Sequence, residues 1–289
     1  TEMYYLATQD LQKALMEGAV SPFTILTQFK VVNVRDPLAV YFIMDREIYP
    51  VYEFMFSSSN FLVPKFALPF SLVFFSSYLC ITFCFGFFAL GGAIRLFKTF
   101  YHYFPQYYRE LGFAILFLPS VAYWSSGLLK DSICFGSIGF LMYAVLNIFI
   151  LRRNYFWSIF WLILAGGFLF YIKVYILLAI APGIVLWLFA EFNKLVEDKT
   201  LRRVLALITL SVSALIGFFL INYITSTESA KAFRLDSIAE SSNYQRNQYN
   251  DMSTFDKGSY FRIQTTNPVL MFLYGIVAAL FRPFIWEIN

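Results

Sequence analysis

Residues 132–151 read SICFGSIGFLMYAVLNIFIL, twenty consecutive residues without a charge between Asp131 and Arg152. At about 1.5 Å of rise per residue, a helix of this length crosses a hydrocarbon core of about 30 Å. The run is continuously apolar rather than alternating with period two, which favours a helix over a barrel strand. Because only helices and closed barrels satisfy the backbone in lipid, this stretch predicts a transmembrane helix.

Similar gaps between charged residues recur along the chain. Seven of them hold between 17 and 29 uncharged residues. They lie between Lys65 and Arg95, Glu110 and Lys130, Asp131 and Arg152, Arg153 and Lys173, Lys173 and Glu191, Arg203 and Glu228, and Arg262 and Arg282. The sequence therefore predicts an all-α fold: a polytopic transmembrane helical bundle of about seven spans, with a tight turn around residues 124–131.

The composition of the 289 residues supports a membrane protein. Hydrophobic residues make up 59%, charged residues only 14%, and the mean hydropathy is +0.63. A soluble domain has about 25% charged residues, so soluble, fibrous, disordered and disulfide-rich secreted classes are excluded. The net charge of +4 is small and scattered, which argues against nucleic-acid binding. Because the chain begins at Thr1 and stops directly after a predicted span, we expect it to be a fragment of a larger bundle.

The basic residues are sorted between the two sides of the predicted bundle. With residues 95–109 inside, ten of the 22 Lys and Arg residues fall in about forty inside positions, and the other twelve are spread over more than a hundred. The positive-inside rule supports this orientation. It predicts an outward amphipathic interfacial segment at 1–67, followed by a transmembrane bundle at 68–289 with an outward polar loop at 225–267.

The first outward segment opens with a helical pattern. Tyr4, Ala7, Leu11 and Leu15 recur at helical spacing among polar residues, and Gly18 ends the pattern. Such a helix tends to lie in the plane of the membrane interface rather than to cross the membrane. A lipid-surface helix without any chemistry is the alternative interpretation.

The motifs of soluble enzymes are missing from the sequence. It contains no phosphate-cradling glycine loop, no HExxH and no GxSxG. His102 is the only histidine, which argues against histidine metal sites and Ser-His-Asp triads, and we expect it to be an interface anchor. Cys80, Cys84 and Cys134 fall in predicted spans and are expected to be packing thiols.

The charged residues at the span ends are the strongest candidates for a site. Ionisable groups at membrane depth are costly and usually face a cavity or a partner. Lys130 could hold a phosphate as a point charge, assisted by Ser125 and Ser126 and by the helix that starts at Asp131. The alternative is a plain hairpin end with Asp131 at the start of the next helix.

Two further cations flank predicted spans. Lys173, beside Tyr171 and Tyr175, either forms an outward turn or snorkels towards the interface. Arg282 begins the sequence RPFIWE at the inner boundary, where an interface anchor is the alternative to a binding role.

The first residues of the chain resemble part of a known protein family. Glu2, Tyr5, Ala7, Leu11 and Gly18 resemble the opening of the first outward loop of GT-C glycosyltransferases. In that family an Asp-Glu pair precedes a Tyr, an Ala and a Gly at similar distances, and the Asp of the pair would fall at Thr1, which is not an acid. Residues 118–131 and 282–287 are also similar to bacterial envelope proteins of cell-surface polysaccharide synthesis.

The resemblance implies a function at the outer face of a bacterial inner (plasma) membrane. It implies a membrane glycosyltransferase or polysaccharide polymerase that transfers sugar from a polyprenyl-phosphate-linked donor to a saccharide acceptor. A carboxylate base would come from Glu2, Asp36 or Asp45, and Lys130 and Lys173 would stabilise the leaving phosphate.

No cofactor is required for that chemistry, and a divalent metal is admitted but not demanded, because a cationic side chain can replace it. The expected partners are membrane lipid, the lipid-linked sugar and the acceptor, with no nucleic acid. A transporter or flippase of lipid-linked oligosaccharide, and a non-catalytic envelope scaffold, remain as alternatives.

Overall fold

The computed structural model describes residues 2–28, 36–43 and 57–194, together with positions 211, 213, 215, 217 and 218. Every element among these residues is helical, which confirms the predicted all-α class. The α-helices are α1 (Glu2–Met16), α2 (Pro22–Thr27), α3 (Pro37–Ile43), α4 (Ser58–Val73), α5 (Tyr78–Tyr103), α6 (Tyr108–Gly112), α7 (Pro119–Ser125), α8 (Lys130–Val145) and α9 (Tyr155–Asn193). A 3₁₀ turn at Pro105–Tyr107 and wider π-helical turns at Phe113–Phe117 and Leu146–Leu151 adjoin them. The chain divides into two compact units, Thr1–Val174 and Tyr175–Asn289.

Helix α1 ends at a glycine in the left-handed conformation. Gly18 has φ +72°, a value that residues with a side chain rarely adopt. Its N–H donates to the Leu15 carbonyl at 3.2 Å, and the Ala19 N–H donates to the Ala14 carbonyl at 3.1 Å. These bonds satisfy the last carbonyls of the helix, so the predicted stop at Gly18 is confirmed.

The apolar face of α1 is covered by protein. Ala7 and Leu11 are fully buried together with Leu38 of α3 and Phe61 of α4. The sequence pattern of α1 predicts a helix that lies on the membrane surface, but it does not say what covers the apolar face. Helices α3 and α4 supply that cover, so burial of the α1 stripe needs no lipid.

Lys65 of α4 ties the end of α2 to this small core. Its Nζ donates to the carbonyls of Leu26 and Gln28 at 3.0 and 2.9 Å. A cation next to the last carbonyls of a helix is favourable because of the helix dipole. Burial lowers the pKa of the Lys65 ammonium.

Three helical segments of the described residues are long and apolar enough to cross a membrane. They are α5, the run from Lys130 to Leu151 that begins with α8, and α9. The chain is therefore a membrane protein by the length and composition of these helices. The predicted count of about seven spans is not supported, and the reasons lie in breaks that charge counting misses.

The first of these breaks separates α4 from α5. Between Lys65 and Arg95 the chain leaves the helical conformation at Phe75 and Ser76, which have φ values of 49° and 58°. Helix α5 then starts at Tyr78 and continues through Arg95, so a cation that counted as a span end lies inside a helix.

The stretch between Glu110 and Lys130 is not one helix either. The backbone is extended at Leu118, with φ −64° and ψ 122°, and Pro119 begins α7. Proline lacks an N–H and disfavours the helical conformation of the residue before it, which accounts for the break. Helix α7 ends at Ser125, so the predicted turn at 124–131 is present, but the segment before it is broken.

Lys173 lies at a kink inside Tyr155–Asn193. Its own backbone is non-helical, with φ −145° and ψ 73°. The two spans that the sequence predicts on either side of Lys173 fall within this one candidate membrane segment. Of the last two predicted spans, 204–227 is described at only five positions, and 263–281 lies outside the described residues, as do 219–289 as a whole.

Helices α5 and α8 touch through their backbones. A Cβ atom added to Gly92 of α5 would overlap the Gly136 carbonyl of α8, and one added to Gly139 would overlap the Gly92 carbonyl. A Cβ on Gly136 would meet the Phe88 ring at 2.6 Å. Small residues that allow such an approach are typical of helix contacts in membranes, where dispersion replaces the hydrophobic effect.

Aromatic rings join the four long helices around this contact. Phe66 of α4 lies with its ring centroid 5.2 Å from that of Phe88 in α5 and 5.4 Å from that of Phe168 in α9. Phe88 stacks on Phe140 of α8 at 5.2 Å, and Phe140 stacks on Trp161 of α9 at 3.8 Å. Pairs of this kind contribute about 0.5–1.5 kcal/mol each beyond the burial of their area.

We expect Gly139→Ala to lower the free energy of unfolding by about 1–3 kcal/mol, because the backbones of α5 and α8 must separate to admit the methyl group. The matched control is Gly167→Ala in α9, where nothing lies within 4 Å of the added Cβ. Unfolding of the purified protein in mixed detergent micelles measures both. Equal stabilities of the two variants would contradict the backbone contact.

Candidate functional site

Charged side chains collect at one end of the α8–α9 pair. Helix α8 begins at Lys130, and α9 returns to the same end at Lys173, whose ammonium forms an ion pair with Asp131. Tyr4 of α1 and Ser59 of α4 complete this group, which we call the Lys130 cluster. The structure therefore brings together Lys130, Asp131 and Lys173, three of the seven charged residues that the sequence singles out.

Lys130 is held by a neutral partner. Its Nζ donates to the Ser59 hydroxyl at 2.9 Å, and that hydroxyl lies 2.8 Å from the hydroxyl of Ser57. Within the described part of the chain, Lys130 forms no ion pair. Its positive charge is thus not neutralised by a carboxylate of its own, and an ammonium has three N–H donors, so it can take an anion as a ligand.

Asp131 and Lys173 compensate each other directly. Their side chains are 40% and 22% exposed, so water screens the pair in part and its contribution lies between those of surface and buried pairs. Asp131 also lies in the first turn of α8, where the helix dipole favours a negative charge. The charged groups of the Lys130 cluster sum to one net positive charge.

Tyr4 places a phenol at the edge of the Lys130 cluster. Its hydroxyl donates to the side-chain carbonyl of Asn60 at 3.3 Å. Burial raises the pKa of the Tyr4 phenol, and the nearby negative charge of Asp131 raises it further, with a smaller effect of the Cys134 thiol. The phenol therefore remains a neutral hydrogen-bond donor throughout the physiological range.

The turn before α8 is fastened by serine hydroxyls. Ser132, which is fully buried, donates to the Gly127 carbonyl, and Ser126 donates to the Tyr123 carbonyl at 3.0 Å. Ser125 is the last residue of α7 and is partly exposed. The binding roles of Ser125 and Ser126 stay predictions, and the structure places both residues in the turn that leads to Lys130.

The predicted carboxylates have different surroundings. Glu2 is exposed in the first turn of α1, two residues before Tyr4. Asp36 caps α3 through the Leu38 N–H, at 3.0 Å, and accepts the side-chain amide of Gln28.

The remaining predicted site residues lie elsewhere in the chain. Tyr175 is 42% exposed in α9 and belongs to the second compact unit. Asp45 and Arg282 are not among the residues that the structure describes.

Sequence reasoning missed the uncharged residues around the Lys130 cluster, of which Ser59 bonds Lys130 and Asn60 bonds Tyr4. Tyr4 counts in the sequence only as an apolar position of α1, and its hydroxyl gives no periodic signal. Ser59 and Asn60 end the polar run SSSN at 57–60, directly before an apolar stretch. That run was the available signal, because polar groups at the start of a buried helix need partners.

The described side chains do not form a metal-binding site. Among the residues that the structure describes, no three His, Cys, Asp or Glu side chains are placed to hold one metal ion. Comparison of the chain with protein-family models, with curated proteins and with solved structures gives no match. The function of the Lys130 cluster therefore rests on its own geometry.

The ion pair in the Lys130 cluster should show measurable coupling. In a double-mutant cycle of Asp131→Asn and Lys173→Met, we expect a coupling energy of about 0.5–3 kcal/mol, because each single variant leaves a half-buried charge without its partner. The control cycle uses Lys194 and Glu191, which lie three residues apart and are 64% and 25% exposed, and should give less than about 0.5 kcal/mol. Chemical unfolding in detergent measures both, and equal couplings would contradict the assignment.

The Tyr4 phenol should make stability depend on alkaline pH. Because its pKa is raised in the folded state, its contribution is complete below the unfolded pKa of about 10 and is lost as the pH rises above that value. We expect the melting temperature of the wild type to fall more between pH 9 and pH 11 than that of Tyr4→Phe. Tyr123→Phe, at an exposed tyrosine, serves as the control. Parallel curves for all three proteins would exclude this role of Tyr4.

Proposed function

We propose that the chain is part of a membrane glycosyltransferase or polysaccharide polymerase that uses a polyprenyl-phosphate-linked sugar at the outer face of a bacterial inner membrane. The observation that supports the proposal is the Lys130 cluster. It joins an ammonium without its own carboxylate, a second ammonium and an acid at one end of a membrane bundle. A lipid-linked phosphate presents its charge at the membrane surface, where the end of such a bundle lies.

The proposed reaction forms one bond and breaks one. The acceptor hydroxyl oxygen attacks the anomeric carbon of the donor sugar, and the bond from that carbon to the phosphate oxygen breaks. The bonding electrons leave with the polyprenyl phosphate, and the hydroxyl proton passes to a carboxylate. Negative charge grows on the phosphate oxygen, where Lys130 and Lys173 stabilise it.

The base role is proposed for Asp131. It is the carboxylate of the Lys130 cluster, and its side chain is 40% exposed. Both carboxylate oxygens of Asp36 already accept hydrogen bonds that shape the start of α3. Glu2 remains the acid that the family resemblance points to, and its exposed position in α1 leaves it open to an acceptor.

Orientation follows from the distribution of cations. Lys130 and Lys173 lie at one end of the α8–α9 pair, and Arg152 and Arg153 lie in the connection at the other end. The Lys and Arg residues of the predicted inside segment at 95–109 add to the two arginines of the Arg152 end. By the positive-inside rule this supports a cytoplasmic Arg152 end and an outward Lys130 cluster. The twenty residues between Asp131 and Arg152 hold no charge, which favours transfer at one face over transport through α8.

The test uses full-length protein in proteoliposomes. Lipid-linked sugars extracted from host cells labelled with ¹⁴C-glucose serve as the donor pool, and a deacylated surface polysaccharide of the same cells serves as the acceptor. We expect label to move from the chloroform phase into water-soluble saccharide. Lys130→Ala should lower that rate about 10- to 100-fold, because one charge-assisted contact to the leaving phosphate is lost.

The controls separate the three functional classes. Lys13→Ala, at an exposed lysine of α1, should retain the wild-type rate. Label that stays on the lipid but becomes accessible to an impermeant glycosidase would indicate a flippase. Neither transfer nor exposure of label would indicate a scaffold, and full transfer by Lys130→Ala would remove the phosphate role of Lys130.

A further inference from the structure

A cavity of about 490 Å³ lies at the end of the helices opposite the Lys130 cluster. It is formed by the last turns of α8, the start of α9 and Arg95 of α5. Its polar lining comes from Arg95, Tyr143, Asn147, Asn154 and Ser158, and two tryptophans, Trp157 and Trp161, provide the walls. This volume is within the range of sites that hold small molecules or lipid headgroups.

Arg95 enters the cavity with its charge uncompensated. Its guanidinium lies 4.3 Å from the centroid of the Phe140 ring and 5.7 Å from that of Trp161, and one N–H donates to the Gly91 carbonyl at 3.0 Å. In residues 57–194 it has no carboxylate partner. The ring contacts and the bond to Gly91 hold the guanidinium at the cavity, and its remaining N–H donors are of the kind that binds phosphate.

A second arginine adjoins the same wall. The Arg153 Nε–H donates to the side-chain carbonyl of Asn147 at 3.3 Å, and its Nη2 lies 3.5 Å from the Tyr143 hydroxyl. Both partners line the cavity, and Asn147 is almost fully buried. The Arg153 backbone N–H also bonds the Asn147 carbonyl, at 3.1 Å, so the chain is folded back tightly at this point.

The first turn of α9 adds a favourable field and an apolar flank. Asn154, with φ 52°, directly precedes the helix, and the dipole of this long helix places partial positive charge at the cavity. Tyr155, Phe156 and Trp157 are 48%, 78% and 63% exposed. Trp157 therefore both lines the cavity and reaches the surface, in the way that aromatic residues mark a membrane interface.

We infer that this cavity binds the phosphate group of an anionic phospholipid, with the acyl chains lying against the exposed aromatic side chains at the start of α9. Arg95, the stacked rings and a helix start recognise the phosphate, which lipid and free phosphate share, and Arg153 adds positive charge behind the cavity wall. The aromatic flank at span depth favours the lipid, because a soluble ion makes no use of it. The inference does not depend on the proposed transferase reaction, since it concerns the other end of the bundle.

The test is a titration of the purified full-length chain in a zwitterionic detergent. The probes are dihexanoylphosphatidylglycerol, dihexanoylphosphatidylcholine and inorganic phosphate at equal concentrations, with the melting temperature and tryptophan fluorescence as readouts. We expect dihexanoylphosphatidylglycerol, the glycerol lipid, to raise the melting temperature of the protein. It should also change the tryptophan emission, since Trp157 and Trp161 line the cavity. The choline lipid and inorganic phosphate should have at most a tenth of that affinity, as estimated from one charge-assisted contact.

Two variants test the residues. Arg95→Gln should weaken binding of the glycerol lipid about tenfold or more. Asn154→Asp should weaken it similarly by placing a carboxylate in the cavity, while the fold is retained because Asp tolerates the left-handed backbone and suits a helix start. The control, Arg109→Gln, alters an exposed arginine that stacks on Tyr108 and should bind as the wild type does.

Weaker binding in both variants with an unchanged control supports the site. Wild-type affinity of Asn154→Asp, an equal response to the choline lipid, or an equal response to inorganic phosphate would each overturn the assignment to an anionic lipid.

Discussion

The backbone contact between α5 and α8 is the constraint on which the rest of the bundle depends. Gly92, Gly136 and Gly139 let the two helices meet without intervening side chains, and no other residue type fits there unless the helices separate. Their approach brings Phe88 of α5 onto Phe140 of α8, and α9 closes over the same rings. Dispersion between closely packed helices is the main attraction available in lipid. This contact therefore sets the positions of the polar residues at both ends of the helices, in the Lys130 cluster and around Arg95.

Charge is organised by that packing rather than by local sequence. At one end Lys130, Asp131 and Lys173 meet although they come from two helices. At the other end Arg95 lines a cavity, and Arg153 bonds to two of its lining residues. Each end holds more positive than negative charge among its described residues. Both are suited to anionic groups at the membrane surface, with a continuous apolar section of α8 between them.

The sequence was informative where length and charge decide the structure, and uninformative where backbone geometry does. Uncharged stretches predict membrane helices, and the end of α1 at Gly18 follows from the same pattern. Charge counting does not reveal the left-handed residues Phe75 and Ser76 or the break at Leu118. The partner of Lys130 was also missed, because Ser59 is a contact over 71 residues that no local pattern encodes.

The ion pair of Asp131 with Lys173 has a consequence for biosynthesis. The two residues are 42 positions apart, and at roughly 5–20 residues per second the ribosome adds Lys173 about 2–8 s after Asp131. During that interval the neighbouring Lys130, the first turn of its own helix and water stabilise the carboxylate. The pair with Lys173 forms only once α9 has been made, and it then joins the start of α8 to α9.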